Sequence, residues 1–333
     1  ISFDPALFGG TILLTTGPLA TGKEVTIDGA GAPGISVNGG GSDRVLIVDA
    51  GAMVTVRNLV ITNGYGFQLA GGILNNGDLT LQHVTVTGNT MTTDAGDFWQ
   101  GGGGIYNGGD SILVLEDSTV SDNFSGWTGG GVYSFFNSTT VVVRSTISGN
   151  VAGDVGGGLR TLGSLTIDNS TLSGNTSTNW HGGAAFITDG VADVSNTTVT
   201  GNTAPVGTTG GLFVGTFTDA SAILNLQNTI VASNGDFGCF LAPFGAGAVA
   251  LNSLGNSVYT DGTCFPVGSD QIVGDAGLDA LADNGGPTLT HALLPGSPAI
   301  DAADNAVCPA TDQRGQARDD GACDVGSFEA EAP

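Results

Sequence analysis

Apolar residues in this chain alternate in twos within short runs, as at Leu113 and Leu115, Val141 and Val143, or Leu165 and Ile167. A period of two among abundant β-branched residues predicts strands and excludes a helical repeat. The runs belong to one recurrent phrase closing on asparagine: "VITN" at Asn63, "VTVTGN" at Asn89, "STVSDN" at Asn123, "STISGN" at Asn150, "STLSGN" at Asn175, "TTVTGN" at Asn202 and "TIVASN" at Asn234. These asparagines lie 26, 34, 27, 25, 27 and 32 residues apart. Ahead of each phrase stand a glycine cluster with a short apolar strand, as in "GGGVYS", and a second strand, as in "TTVVVRS". A propeller blade needs about four strands and 40 residues, so the units are too short for one. Three strands and three turns per unit predict one coil of a parallel β-helix, each strand pairing with its equivalent one coil along.

In that fold Leu113, Leu115 and Val120 point inward in one coil, Val132, Val141, Val143 and Ile147 in the next, and Leu159, Leu165, Ile167 and Leu172 in the third. Like residues then stack into apolar ladders. Asn63, Asn89, Asn123, Asn150, Asn175, Asn202 and Asn234 are expected at one turn, as a structural ladder in which each amide bonds its own backbone and the next amide. The glycine clusters supply positive φ and close approach at another turn. The long spacing before Asn123 predicts a loop bulging from the coil, carrying Phe98 and Trp99. Trp127 and Trp180 stand just before their glycine clusters, so Trp99, Trp127 and Trp180 are expected along one edge of the rod as candidate glycan contacts.

Composition narrows the partners. Seven Lys and Arg stand against 31 Asp and Glu, a formal charge of −24, which excludes nucleic acid and anionic membrane surfaces as natural partners. No apolar run is long enough to span a membrane. The four cysteines, Cys239, Cys264, Cys308 and Cys323, lack zinc or redox spacing and predict two disulfides in an oxidising compartment. Of three formal pairings, Cys239 with Cys264 and Cys308 with Cys323 close the shortest loops. The chain opens at Ile1 without a signal sequence and reads as a processed or sectioned piece.

From about Gly235 the phrase stops and all four cysteines follow, dividing the chain into β-helix repeats at 1–234 and C-terminal coils with a cap at 235–333. The stretches "NGGPTLTHALLPGSPAIDAAD" and "DQRGQARDDGACDVGSFE", between Asn284 and Glu329, resemble bacterial secreted proteins ending in a choice-of-anchor Q domain. The repeats are similar to those of polymorphic outer-membrane proteins. The resemblance implies a right-handed parallel β-helix, export, and display at the cell surface or release outside the cell. It implies no reaction. Within the matching tail, Asp312, Arg314, Arg318, Asp324 and Glu329 read as a fold-locking polar network. The expected fold is all-β: a right-handed parallel β-helix of about ten coils, roughly 50 Å long at the strand spacing, with a disulfide-bonded C-terminal cap.

Candidate chemistry is thin. Glu116 and Asp117 are adjacent and should face opposite sides of a strand, which denies a hydrolase its carboxylate pair. Asp168 and Asp193 could share a face. Arg57, Arg144 and Arg160 are the only basic residues of the later repeats, and Arg144 and Arg160 sit on different units. His83, His181 and His291 are isolated. No catalytic residue and no cofactor is assigned, although Asp94 with Asp97 and Asp301 with Asp304 offer oxygens to calcium. Thr85 and Thr87, Thr119 and Ser121, Thr146 and Ser148, Thr171 and Ser173, and Thr198 and Thr200 make an outward hydroxyl ladder. The reading is an extracellular structural or adhesive rod, able to self-associate end to end and to meet a cell-surface glycan. The alternative is a carbohydrate-active enzyme of lyase or hydrolase type.

Overall fold

Each repeat unit closes into one turn of a parallel solenoid, seen in a computed structural model that describes residues 1–94, 97, 99–318 and 321–331. Phe98 lies outside the described residues. Three sheets wall the rod over about nine turns. The first has nine strands, running from Val25–Asp28 to Val249–Ser253. The second has eleven, from Thr11–Leu13 to Gln271–Ile272, and the third nine, from Leu19–Thr21 to Phe237–Pro243. A fourth sheet of five very short strands, from Tyr65–Phe67 to Thr176–Ser177, follows the asparagine turn. Regular pairing thus continues well past Asn234. Among the described residues helix is confined to one 3-10 turn at Pro5–Leu7, and no helix is long and apolar enough to cross a membrane.

Register builds the core. Leu79, Leu113, Thr140, Leu165, Ala192, Leu224 and Leu251 are successive partners in the first sheet and point into the tube. The period of two predicts Val141 and Val143 inward, but the structure turns both outward and buries Thr140 and Val142 instead. Both parities of "TTVVV" are β-branched, so apolarity cannot choose between them. Thr140 is tolerated because its hydroxyl bonds Ser134 Oγ at 2.6 Å and accepts from Asn107 Nδ2 at 3.1 Å.

At the turn after the second sheet, Asn89 Nδ2 donates to Asn123 Oδ1 at 2.9 Å, and the same bond links Asn123 to Asn150, Asn150 to Asn175, Asn175 to Asn202 and Asn202 to Asn234 at 2.8–3.0 Å. Each receiving Oδ1 also accepts the backbone N–H of the preceding asparagine. Asn63 stands outside this ladder. Its phrase is one residue shorter, so Gly64 takes the ladder position and donates its N–H to Asn89 Oδ1, while Asn63 is exposed at φ 52° and bonds Asn38. The glycine turn works as its composition requires. Gly129 sits at φ 62°, and a Cβ on Gly130 would lie 2.3 Å from the carbonyl oxygen of Gly157 in the next coil.

Between the first and second sheets eight successive coils each turn through one left-handed residue: Asn58, His83, Asp117, Arg144, Asn169, Asn196, Asn228 and Asn256, with φ of 46–58°. The C-terminal segment follows this row. Beyond its last coil the chain lies as a strap along the side of the second sheet, with contacts from Arg144 to Asn256. The side-chain amides of Asn256, Asn228 and Asn169 donate to the carbonyls of Ala302, Asp304 and Thr311. Thr288 Oγ1 reaches Arg144 O at 3.2 Å. The strap covers much of the hydroxyl ladder: Thr146, Ser148, Thr171, Ser173, Thr198 and Thr200 are buried beneath it, whereas Thr85, Thr87, Thr119 and Ser121 stay half-buried beyond it. Inside the strap Arg314 Nε meets Asp312 Oδ2, and Arg318 meets Glu329 Oε2, both at 2.7 Å. The disulfides pair Cys239 with Cys264 and Cys308 with Cys323.

Candidate functional site

The outer face of the third sheet carries a row of large side chains at the middle of its strands. Register places Tyr106, Tyr133, Arg160, Phe186, Phe213 and Phe240 one above another on successive coils. Side chains repeating at the inter-strand spacing can lie flat on each other. Tyr106 and Tyr133 stack at 5.1 Å, Phe186 and Phe213 at 4.2 Å with their planes 3° apart, and Phe213 and Phe240 at 6.1 Å. The Arg160 guanidinium fills the one position without a ring, 5.5 Å from the centroid of Tyr133 and 5.6 Å from that of Phe186. Alternation that marks the inward residues says nothing of what the outward ones do. The row's signal is nonetheless in the sequence, as the third letter of "GIYN", "GVYS", "GLRT", "AAFI", "GLFV" and "GCFL".

Turns from both sides arch over the row, and their rings form its surface. Trp99 is 43% exposed and packs on Phe135 and Phe136 at 5.8 and 5.2 Å. Trp180 belongs to a second group, with Phe186, Phe213, Phe217 and Phe244. There Phe217 and Phe244 are 40% and 52% exposed and stack at 5.4 Å. The three tryptophans share the turn ahead of the glycine clusters without forming a continuous stack. Backbone bonds align Trp127 with Asp154 and Asp154 with Trp180, so an aspartate separates two of them, and Trp99 falls one residue ahead of that line.

Burial sets the electrostatics. It pushes the Tyr106 hydroxyl up to about 12, lifts Tyr133 as well, and draws Arg160 down. Asp154 is raised by burial, with the attraction of Arg160 opposing. His181 lies against Trp180, Phe213 and Phe240, and its Nδ1 accepts the Thr209 N–H at 3.1 Å. Desolvation there drops its pKa to about 4. His291, also lowered by burial, joins the strap to the rod through Ser173 Oγ at 2.8 Å.

The acidic candidates are engaged elsewhere. Glu116 and Asp117 do not diverge as a regular strand would require, because Asp117 adopts φ 49° and swings beside its neighbour. Both grip Arg144, at 2.7 and 2.8 Å. Hydrogen bonds from Gln82 and then Arg144 hold Glu116 below its ordinary range, and the bond to Asp117 raises Arg144 further. Glu116 is therefore no raised acid, and all three side chains are engaged with one another. Asp168 and Asp193 lie on neighbouring strands of the first sheet, where Asp168 accepts from Ser195 and Asn196 and Asp193 from Asn225. Asp97 accepts the Trp99 N–H, and Asp304 that of Ala306. Among the described residues no three His, Cys, Asp or Glu side chains converge as a metal-holding group.

A family model described as a right handed beta helix region matches residues 10–204. The chain belongs to that family. The matched coils of this right-handed β-helix hold the asparagine ladder as far as Asn202 and the outer row as far as Phe186, leaving Phe213, Phe240 and the strap beyond the match. Among solved structures, the crystal structure of pectate lyase Pel9A is similar at a TM-score of 0.41 and 14% identity, over 97% of this chain and 86% of that chain. No curated protein matches.

Proposed function

We propose that this β-helix is an extracellular structural and adhesive rod that holds glycan chains on the aromatic side of its third sheet. The reading is carried by the exposure of Trp99, Phe217 and Phe244, 40–52% each, on rings held in place by a buried stack. Rings fixed by the fold offer flat apolar area to a sugar with little entropy left to lose. Phe136 and Phe217 follow corresponding strands three coils apart, about 14 Å at the inter-strand spacing, so an extended chain rather than one sugar would bridge both ring groups. The formal charge of −24 favours neutral glycans over polyuronates. The disulfides favour an oxidising compartment.

The enzymatic alternative draws less support, since Glu116, Asp117 and Arg144 satisfy one another. A glycan array run with the native chain, Trp99→Ala and Phe217→Ala/Phe244→Ala tests the proposal. Binding to neutral polymers should fall at least tenfold in both variants. Equal binding by all three proteins, or new reducing ends released from any polymer, would refute it. End-to-end self-association is a separate proposal, checked by sedimentation velocity across a concentration series.

A further inference from the structure

The face that receives the strap does not stop where the strap stops. Thr85, Thr119, Thr146, Thr171 and Thr198 are consecutive partners in the second sheet, so every adjacent pair places two threonines side by side at the inter-strand spacing. The strap bridges one pair with the Gln313 side chain, while Leu289 O accepts from Thr146 Oγ1 and Ser327 Oγ bonds Thr171 Oγ1. Gln313 Nε2 donates to Thr146 Oγ1 at 2.8 Å, and its Oε1 accepts from Thr171 Oγ1 at 2.7 Å. Gln313 is delivered by a tight turn in which the Asp312 carboxylate accepts the N–H groups of Arg314 and Gln316. One and two coils before Thr146, Thr119 and Thr85 repeat the receiving half of this contact, half-buried and uncovered. Beside them the wall opens into a cavity of about 480 Å³ lined by Pro33, Leu59, Val60, His83 and Thr85.

We infer that Thr85 and Thr119, with this cavity, form a docking site for a glutamine-bearing turn of a partner polypeptide. Continuity with the chain's own interface identifies the occupant: the rungs are the same, their spacing is the same, and a carboxamide is the group that bridges them in the occupied stretch. The cavity, apolar at Pro33, Leu59 and Val60, receives a neighbouring side chain of the partner. The rod's negative charge selects a partner turn that is neutral or basic, as the chain's own Ala310–Arg318 turn is, with Arg314 and Arg318 against Asp312. The site lies on a different sheet from the aromatic face, so it stands or falls independently of glycan binding.

The test uses the full chain and a head-to-tail cyclised peptide of residues 310–318, titrated by fluorescence anisotropy. Thr85→Val/Thr119→Val replaces hydroxyls by methyls of the same shape and leaves the strap untouched. One peptide should bind per chain, with affinity at least tenfold weaker for the double variant and equally weakened in a peptide carrying Gln313→Ala. The melting temperature of the double variant should match the native chain, separating lost recognition from lost folding. Absence of binding at millimolar peptide, or binding unchanged by either substitution, overturns the inference.

Discussion

A single asparagine in the ladder carries several obligations at once. Asn150 is fully buried, accepts two N–H groups from Asn123 through Oδ1, and donates through Nδ2 to Asn175 and to the Val120 carbonyl. Asn150→Ala should cost about 3–5 kcal/mol, because it strands buried donors and an acceptor where water cannot reach. Asn63→Gly should be nearly silent, since its side chain is exposed and Gly88 fills the corresponding place in the next coil. Chemical denaturation of both variants checks the contrast, and a large cost at Asn63 would contradict the register. His181 makes a pH prediction of definite sign. Its folded pKa of about 4 lies below the ordinary value of 6.5, so the fold prefers the neutral ring. The stabilisation is complete above pH 6.5 and is lost as pH falls towards 4, on the order of 1–2 kcal/mol after allowing for solvent screening. His181→Gln should flatten that part of the melting-temperature profile, and an unchanged slope would mean that the ring is hydrated.

The strap is the element whose placement depends most on contacts far apart in sequence. Arg318 is buried within it, bonding the Glu329 carboxylate and the Asp324 and Gly326 carbonyls. Arg318→Met leaves Glu329 charged and buried, at a cost of about 3–5 kcal/mol. The loss should stay local: thermolysin should cut between residues 284 and 329 while the far-ultraviolet β-signal of the rod persists. Collapse of that signal together with cleavage would show instead that the coils cannot stand without the strap. Such a network of charged residues was legible through the resemblance of the tail, within which Asp312, Arg314, Arg318, Asp324 and Glu329 stand. Its seat on the rod was not legible. Thr171 meets Gln313 across 142 residues, and no periodicity encodes that pairing. The coils were readable because each rung repeats its neighbour's needs; facing was ambiguous where both parities were apolar, as at Val141, where a phrase was one residue short, as at Asn63, and where a left-handed turn residue ends a strand, as at Asp117. The aromatic row was present in plain view but on the face that core patterning ignores.

At the scale of the whole rod, stability should be graded along the axis. A solenoid's coils exchange stabilisation only with their neighbours, so any reinforcement confined to one stretch creates a local difference in opening free energy. Here the strap binds coils from Arg144 to Asn256, and the Cys239–Cys264 disulfide ties the last of them together. The first coils have neither support. Thr11–Leu13 pairs on one side alone, Leu13 and Leu19 are 56% and 39% exposed, and their strands are three residues long. Amides of Ser36–Asn38 should therefore exchange with deuterium at least 100-fold faster than those of Thr171–Ser173, a difference of about 2.7 kcal/mol in opening free energy. Loosening the strap with Arg318→Met should erase part of the gradient by lowering protection at Thr171–Ser173 and Thr198–Thr200, leaving Val60–Thr62 as before. If all these strands exchanged at one rate in the native chain, the rod would be opening as a single cooperative unit, and the strap would be a passenger on it rather than the reinforcement that its buried hydroxyl contacts describe.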